Sequence, residues 1–302
     1  MNGGSNYIDV DGTLANSPLF GVFHDNRDTV RAQLQTMFDN GQRMIALSVW
    51  FCDADPYGHT EDLWAYMFNS HNGDLAAQYK QNIADVLALV QQIGFTQIHF
   101  RFDAQLNALP EWPAWDEAQF QQNLSFIMNV IGVVKANVSV KTLFDLAGEF
   151  IDSKAFYMQY CTALWREYTA RYGSTDATMS INTGHRPSSA KSRAQLIVHA
   201  FKGAGLPLPV FYLADCYGNE YLTLKGLHDG MVAVGQGNLP VYLQECFYND
   251  KATATEVKKV RTTIRGLKLK GIFQWPGIRG TALDNVNFGP VFPKDFRNYS
   301  VI

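Results

Sequence analysis

The feature that most constrains this chain is the recurrence of a short apolar strand followed by an amphipathic helix, with eight strand candidates along its length. Strand candidates are Leu19–His24, Met44–Trp50, Gln97–Asp103, Val140–Glu149, Thr178–Thr183, Val210–Asp215, Val241–Glu245 and Gly271–Trp275. Each is short and rich in β-branched and aromatic residues without strict alternation, as expected of strands covered on both faces. Helical periodicity follows over Asp28–Asn40, Asp74–Ile93, Glu117–Val134, Ala155–Tyr172, Ser192–Ala204, Tyr221–Val234 and Thr253–Leu267, and Gly41, Gly94 and Gly205 stand where left-handed C-terminal caps would fall. Alternation of this kind predicts βαβ units and a parallel sheet. Eight units in 302 residues, with no linker or composition break, predict a single-domain (β/α)8 barrel over residues 1–302. An open doubly wound sheet usually has fewer strands, and no glycine-rich phosphate loop is present. Ahead of the first strand candidate, a short hairpin turned by Asp11-Gly12 is expected to close the barrel bottom.

Hydrophobic residues make up 47% of the chain, which suits a large core, and the net charge of −3 supplies no field to attract nucleic acid. No apolar run reaches the roughly 20 residues of a membrane helix. Met1–Asn6 has neither a basic nor an apolar signal region, so a cytoplasmic protein, or one released without a signal peptide, is expected. Cys52, Cys161, Cys216 and Cys246 form no CxxC pair and are read as free thiols. His24, Asp25, Asp53, His59 and His99 are scattered without an HxH or HExxH pattern, so neither a metal nor another cofactor is expected. No strand candidate ends in lysine, which argues against Schiff-base chemistry.

Two strand ends carry the chemistry. Strand four runs into Phe144-Asp145-Leu146-Ala147-Gly148-Glu149, and strand seven ends Val241-Tyr242-Leu243-Gln244-Glu245. A glutamate at the C-terminal end of an apolar barrel strand is awkward unless it points into the mouth, where active sites of this architecture lie. On these residues the sequence resembles the retaining (β/α)8 glycoside hydrolases of clan A, family 5 among them. The resemblance implies a carbohydrate substrate, Glu149 as acid/base and Glu245 as nucleophile. It also implies that Trp275 floors the cleaved sugar and that Tyr217 hydrogen-bonds the nucleophile. Arg101 could keep Glu245 ionised, although the family usually supplies that arginine from strand two. His185, past strand five, has no secure counterpart, and Trp50 and Asp103 lie at strand ends facing the same substrate region. The chemistry needs a protonated Glu149 and an ionised Glu245 about 5–5.5 Å apart. One departure stands out: the clan usually has Asn before the acid/base, bound to the sugar 2-hydroxyl, and this chain has Gly148. Asn182 is a candidate for that contact instead.

Other readings compete. Arg101, Asp103 and Asp145 could form an internal ion network between strands three and four. Trp50, Tyr57, Trp112, Trp115, Phe247 and Tyr248 fall on the same face as sugar platforms or as packing. Gly148 admits a non-catalytic carbohydrate-binding barrel derived from such an enzyme. Ile8-Asp9-Val10-Asp11-Gly12-Thr13 looks like the first motif of haloacid-dehalogenase-type phosphatases, with Asp9 as nucleophile, but no helix pattern follows it.

Overall fold

The barrel begins at the third residue of the chain. In the computed structural model, which describes residues 2–8, 19–52, 68–70, 73–280 and 293–301, the first strand is Gly3–Tyr7 (β1). It is followed by Met44–Cys52 (β2), Gln97–Ala104 (β3) and Lys141–Asp145 (β4). The fifth strand (β5) is broken at Met179 into Ala177–Thr178 and Ser180–Ile181. Tyr212–Asp215 (β6), Pro240–Glu245 (β7) and Lys268–Gln274 (β8) complete the set. All pair in parallel with their neighbours, and β1 lies between β8 and β2. The first half of β5 pairs with β4 and the second with β6, so the break falls where the circle closes. A two-residue segment, Phe68–Asn69, pairs with the end of β2.

The helices Leu19–Asp39 (α1), Ala77–Ile93 (α2), Glu117–Asn137 (α3), Ala155–Tyr172 (α4), Pro187–Gly203 (α5), Glu220–Ala233 (α6) and Lys251–Thr263 (α7) follow their strands in order, and a short helix, Arg297–Ser300 (α8), comes last. Among the described residues, no helix is long and apolar enough to cross a membrane. The (β/α)8 architecture expected from the repeat is present.

Two sequence expectations are corrected. Leu19–His24 is not a strand but the first turns of α1, where Leu19, Phe20 and Phe23 are buried at helical spacing and Phe20 stacks on Phe100 of β3 at 5.5 Å. The helix bends at Asn26, which has non-helical backbone angles and whose side-chain amide donates to the Val22 carbonyl at 3.0 Å. The role of first strand falls instead to Gly3–Tyr7, which belongs to the barrel wall and not to a hairpin beneath it. A Cβ on Gly4 would overlap the Met44 carbonyl oxygen and lie 2.6 Å from its carbon, and one on Gly3 would lie 2.5 Å from the Ile272 oxygen. The glycines that disguise the segment as a polar terminus are what let it seat between two neighbours. The Asp11-Gly12 turn and Asp9 lie outside the described residues.

Inside the wall, below the site, the buried polar residues Asn6, His99 and Gln244 meet. The Asn6 amide donates to the Gln244 carbonyl at 2.9 Å, and His99 Nδ1 meets Gln244 Oε1 at 3.1 Å. Burial pushes the His99 imidazole down to about 3, so it stays neutral. This layer is the floor on which the site stands.

Candidate active site

Strand alternation delivers the site. Along β3, Phe100 and Phe102 join the main apolar core, whereas His99, Arg101 and Asp103 turn into the barrel and climb from floor to mouth. Arg101 is 2% exposed and works as a hub. Its Nε lies 3.3 Å from Asp103 Oδ2 and 3.6 Å from Asp145 Oδ2, and its Nη1 is paired with Glu245 Oε1. The register between β3 and β4 sets Arg101 opposite Asp145, which explains part of this meeting. The ion network and the Arg101–Glu245 contact are therefore one cluster, not competing alternatives.

Glu245, at the end of β7, is 7% exposed. Its second oxygen accepts the Tyr217 hydroxyl at 2.6 Å. A guanidinium on one oxygen and a phenol donor on the other stabilise the ionised carboxylate. Tyr217 is held edge-on by Phe247 (5.1 Å) and His185 (5.4 Å).

Glu149 lies past β4 on a tight, unusual backbone. Its φ is 59°, and its N–H donates to Ser180 Oγ at 2.7 Å. Left-handed geometry at a glutamate costs on the order of 1 kcal/mol or more and is a recurring mark of functional positions. His185, facing it from the loop after β5, has φ 53°. Burial first, and the neighbouring Asp215 charge second, push the Glu149 carboxyl up to about 8, with Arg101 opposing. Its environment is thus the opposite of that around Glu245.

Asp215, at the end of β6, was not singled out from the sequence, although it carries the same signal, an acid ending an apolar strand. It accepts the Thr183 N–H at 2.7 Å and lies 3.4 Å from His185 Nδ1. Burial raises it to about 6, and raises Asp145 to about 7 despite Arg101 and the Ser180 N–H at 2.9 Å. Burial also lowers His185, which Glu149 partly offsets.

The aromatic residues divide. Trp50 and Trp275 stack at 5.8 Å with 17° between planes, beside Ile8 and Cys52 and against Leu106 and Tyr217, and Arg101 lies 5.7 Å above the Trp275 ring. Trp112 packs against Trp115 and Tyr160, and Phe247 against Tyr217, while the Tyr248 hydroxyl accepts from the Asp295 N–H at 3.0 Å. Tyr57 lies outside the described residues. Asn182 stands apart from the hub: its side-chain oxygen accepts from Arg193 and from the Gly184 N–H, both at 2.8 Å. Among the described residues, no group of three or more His, Cys, Asp or Glu side chains is arranged to hold a metal ion.

No family model and no curated protein matches the sequence. Solved structures do match in three dimensions. A GH5_18 protein from Bifidobacterium longum subsp. longum ATCC 55813, in complex with Manβ1-4GlcNAc, superimposes with a TM-score of 0.62 at 12% identity over 100% of this chain and 77% of its own. A GH113 β-1,4-mannanase gives 0.59 at 11% identity, over 100% of this chain and 98% of that one. The exo-β-1,4-mannosidase Op5Man5 from Opitutaceae bacterium strain TAV5 gives 0.59 at 11% identity over 96% of this chain, which spans only 56% of that protein. At such identities the likeness is one of fold: this chain has the (β/α)8 barrel fold of glycoside hydrolase families 5 and 113.

Proposed function

We propose that this protein is a retaining β-glycosidase acting on an oligo- or polysaccharide, with Glu149 as acid/base and Glu245 as nucleophile. The observation that carries the reading is the opposite setting of the two strand-end glutamates. Glu149 is pushed up to about 8 by burial and Asp215, while Glu245 is clasped by Arg101 and Tyr217. This contrast of settings supports Glu149 as the acid and Glu245 as the nucleophile. In the first step Glu149 gives its proton to the leaving oxygen as a Glu245 oxygen attacks the anomeric carbon. The bond to the leaving group breaks and a glycosyl ester forms. In the second step Glu149 takes a proton from water, whose oxygen attacks the same carbon and releases Glu245. The stacked Trp50 and Trp275 offer an apolar face to the ring. Because the fold neighbours include proteins named mannosidase and mannanase, β-mannosides head the substrate panel.

The test is hydrolysis of aryl and oligomeric β-glycosides, with the anomer released first read by NMR. Retention, abolished by Glu245→Ala, is expected. Glu149→Ala should lose about 10²–10⁴-fold on poor leaving groups and far less on a dinitrophenyl glycoside, where no proton is needed. An inverted first product, or hydrolysis that survives Glu245→Ala, would overturn the assignment. Sugar binding without turnover would favour the non-catalytic barrel instead.

A further inference from the structure

Resting on the glycosidase reading, we infer that Ser180 is a positioning residue that aims Glu149 and couples this acid to the arginine that clasps Glu245. The starting observation is the cost of the Glu149 backbone. Its φ of 59° is one that L side chains seldom adopt, so the turn persists only where its surroundings hold it. Ser180 supplies the hold. Its Oγ accepts the Glu149 N–H at 2.7 Å, and its carbonyl accepts the Ile151 N–H at 3.3 Å. Its own N–H donates to Asp145 Oδ1 at 2.9 Å. One residue of β5 thus grips the turn after β4 before, at and beyond the glutamate.

Ser180 is itself fixed. It is buried, opens the second half of β5 just past the break at Met179, and stands opposite Leu213 of β6. Two of its three bonds come from backbone groups and would survive a change of side chain; the bond to Glu149 needs the hydroxyl. Burial pushes the Asp145 carboxyl up, while Arg101 first, and then the side chain and N–H of Ser180, hold it down. A hydroxyl whose hydrogen is drawn to that carboxyl turns its lone pairs towards the Glu149 N–H. Asp145 Oδ2 in turn lies 3.6 Å from Arg101 Nε, and Arg101 Nη1 is paired with Glu245 Oε1. Both proposed catalytic groups are therefore referred to one guanidinium, Glu245 directly and Glu149 through Asp145 and Ser180. A retaining pair must keep its carboxyls about 5–5.5 Å apart, and this chain of contacts holds one against the other.

The experiment uses the dinitrophenyl and phenyl forms of whichever β-glycoside wild type cleaves fastest; the first needs no proton on its leaving group and the second does. Wild type, Ser180→Ala, Ser180→Cys and Ser180→Thr are compared, each shown to fold by its thermal transition. The quantity read is the ratio of kcat/KM on phenyl to kcat/KM on dinitrophenyl substrate, normalised to wild type. Misplacing a catalytic group by an ångström costs up to about 100-fold, so Ser180→Ala should lower the ratio about 10- to 100-fold and leave dinitrophenyl cleavage within about threefold. Ser180→Cys, close in size but a weak acceptor, should show the same selective loss to a smaller degree, and serves where the alanine variant is too unstable to assay. Ser180→Thr, which keeps the hydroxyl, should restore the ratio. In a Glu149→Ala background Ser180→Ala should change nothing further, since no acid is left to aim. A merely structural serine would depress both substrates alike, or add its loss in the Glu149→Ala background; either result would overturn the inference and leave the glycosidase reading intact. Wild type inactive on every β-glycoside would overturn that reading, and this inference with it.

Discussion

Replacing Arg101 with methionine isolates the hub, because the exchange keeps the volume and removes the charge. Asp103, Asp145 and Glu245 would then sit at 5%, 0% and 7% exposure with no guanidinium between them. Removing one partner from a buried ion pair costs about 3–5 kcal/mol, a large share of the roughly 5–15 kcal/mol that holds a domain folded. The loss must depend on pH. Asp103 and Asp145 are already raised by burial, and without Arg101 they lose the cation that opposes the rise, so their folded-state pKa values climb further above the unfolded values of about 4. Groups raised in this way bind more protons folded than unfolded, so stability falls as pH climbs from about 4 through the raised values. The variant should therefore be least damaged near pH 5 and most damaged near pH 8. Urea unfolding of wild type and Arg101→Met at both values, followed by intrinsic fluorescence, reads the difference directly. Arg101→Lys, which keeps a charge but loses the planar fork, should fall between them. A loss below about 1 kcal/mol at pH 8, or an equal loss at both pH values, would refute the hub.

Three further outcomes follow from the geometry. Tyr217→Phe removes the 2.6 Å donor from Glu245 while its ring keeps the contacts to Phe247 and His185, so kcat/KM should fall about 10- to 100-fold with the melting temperature nearly unchanged. The kcat/KM profile of wild type should lose its alkaline limb near pH 8, where Glu149 gives up its proton, and Glu149→Gln should abolish that limb along with the activity on poor leaving groups; a limb that stays put in active Glu149 variants would detach it from this residue. Gly4→Ala drives a methyl into the Met44 carbonyl and should cost at least about 1–3 kcal/mol by thermal unfolding, whereas Gly173→Ala, with open space around it but φ 80°, should cost less.

The architecture is legible because seven of its eight strands announce themselves with apolar runs followed by helical periodicity, three of the helical stretches ending at a glycine. The eighth is not, since Gly3–Tyr7 carries too few side chains for a pattern, its close contact with Met44 and Ile272 having excluded them. Leu19–Phe23 then supplied a false strand, because five apolar or small residues in a row have no period to distinguish strand from helix. At the site, Glu149, Glu245, Arg101 and Tyr217 could be named because strand ends and their numbering are one-dimensional facts. Asp215 carries the same signal, an acid ending an apolar strand, but no motif of the resemblance points to it. What a sequence does not encode locally is the meeting of Arg101 with Glu245 across the barrel, or the fit of the Asp103 carboxylate against Gly148. Those depend on register and stagger summed around the whole closed sheet.

The same cluster both weakens the fold and equips it. Asp103, Asp145, Glu149, Asp215 and Glu245 all lie within the field of one guanidinium, far more carboxyl than it can neutralise. Ionising every one of them in so dry a place would cost more than folding can supply, so some must retain protons at neutral pH. Burial is the first cause for Asp145, Glu149 and Asp215, and Arg101 only opposes it: Glu245 is in direct contact with the arginine, whereas Glu149 feels Asp215 more strongly than Arg101. Under the proposed mechanism Glu149 is the group that must hold a proton near neutral pH, and burial and Asp215 favour that. By linkage, wild type should lose stability between about pH 5 and pH 8 as Asp215, Asp145 and Glu149 are forced to ionise in turn from about 6, about 7 and about 8. An apolar or amide side chain at position 149 should raise stability near pH 8, where Glu149 is forced to ionise, and under the proposed mechanism should also abolish turnover of substrates with poor leaving groups.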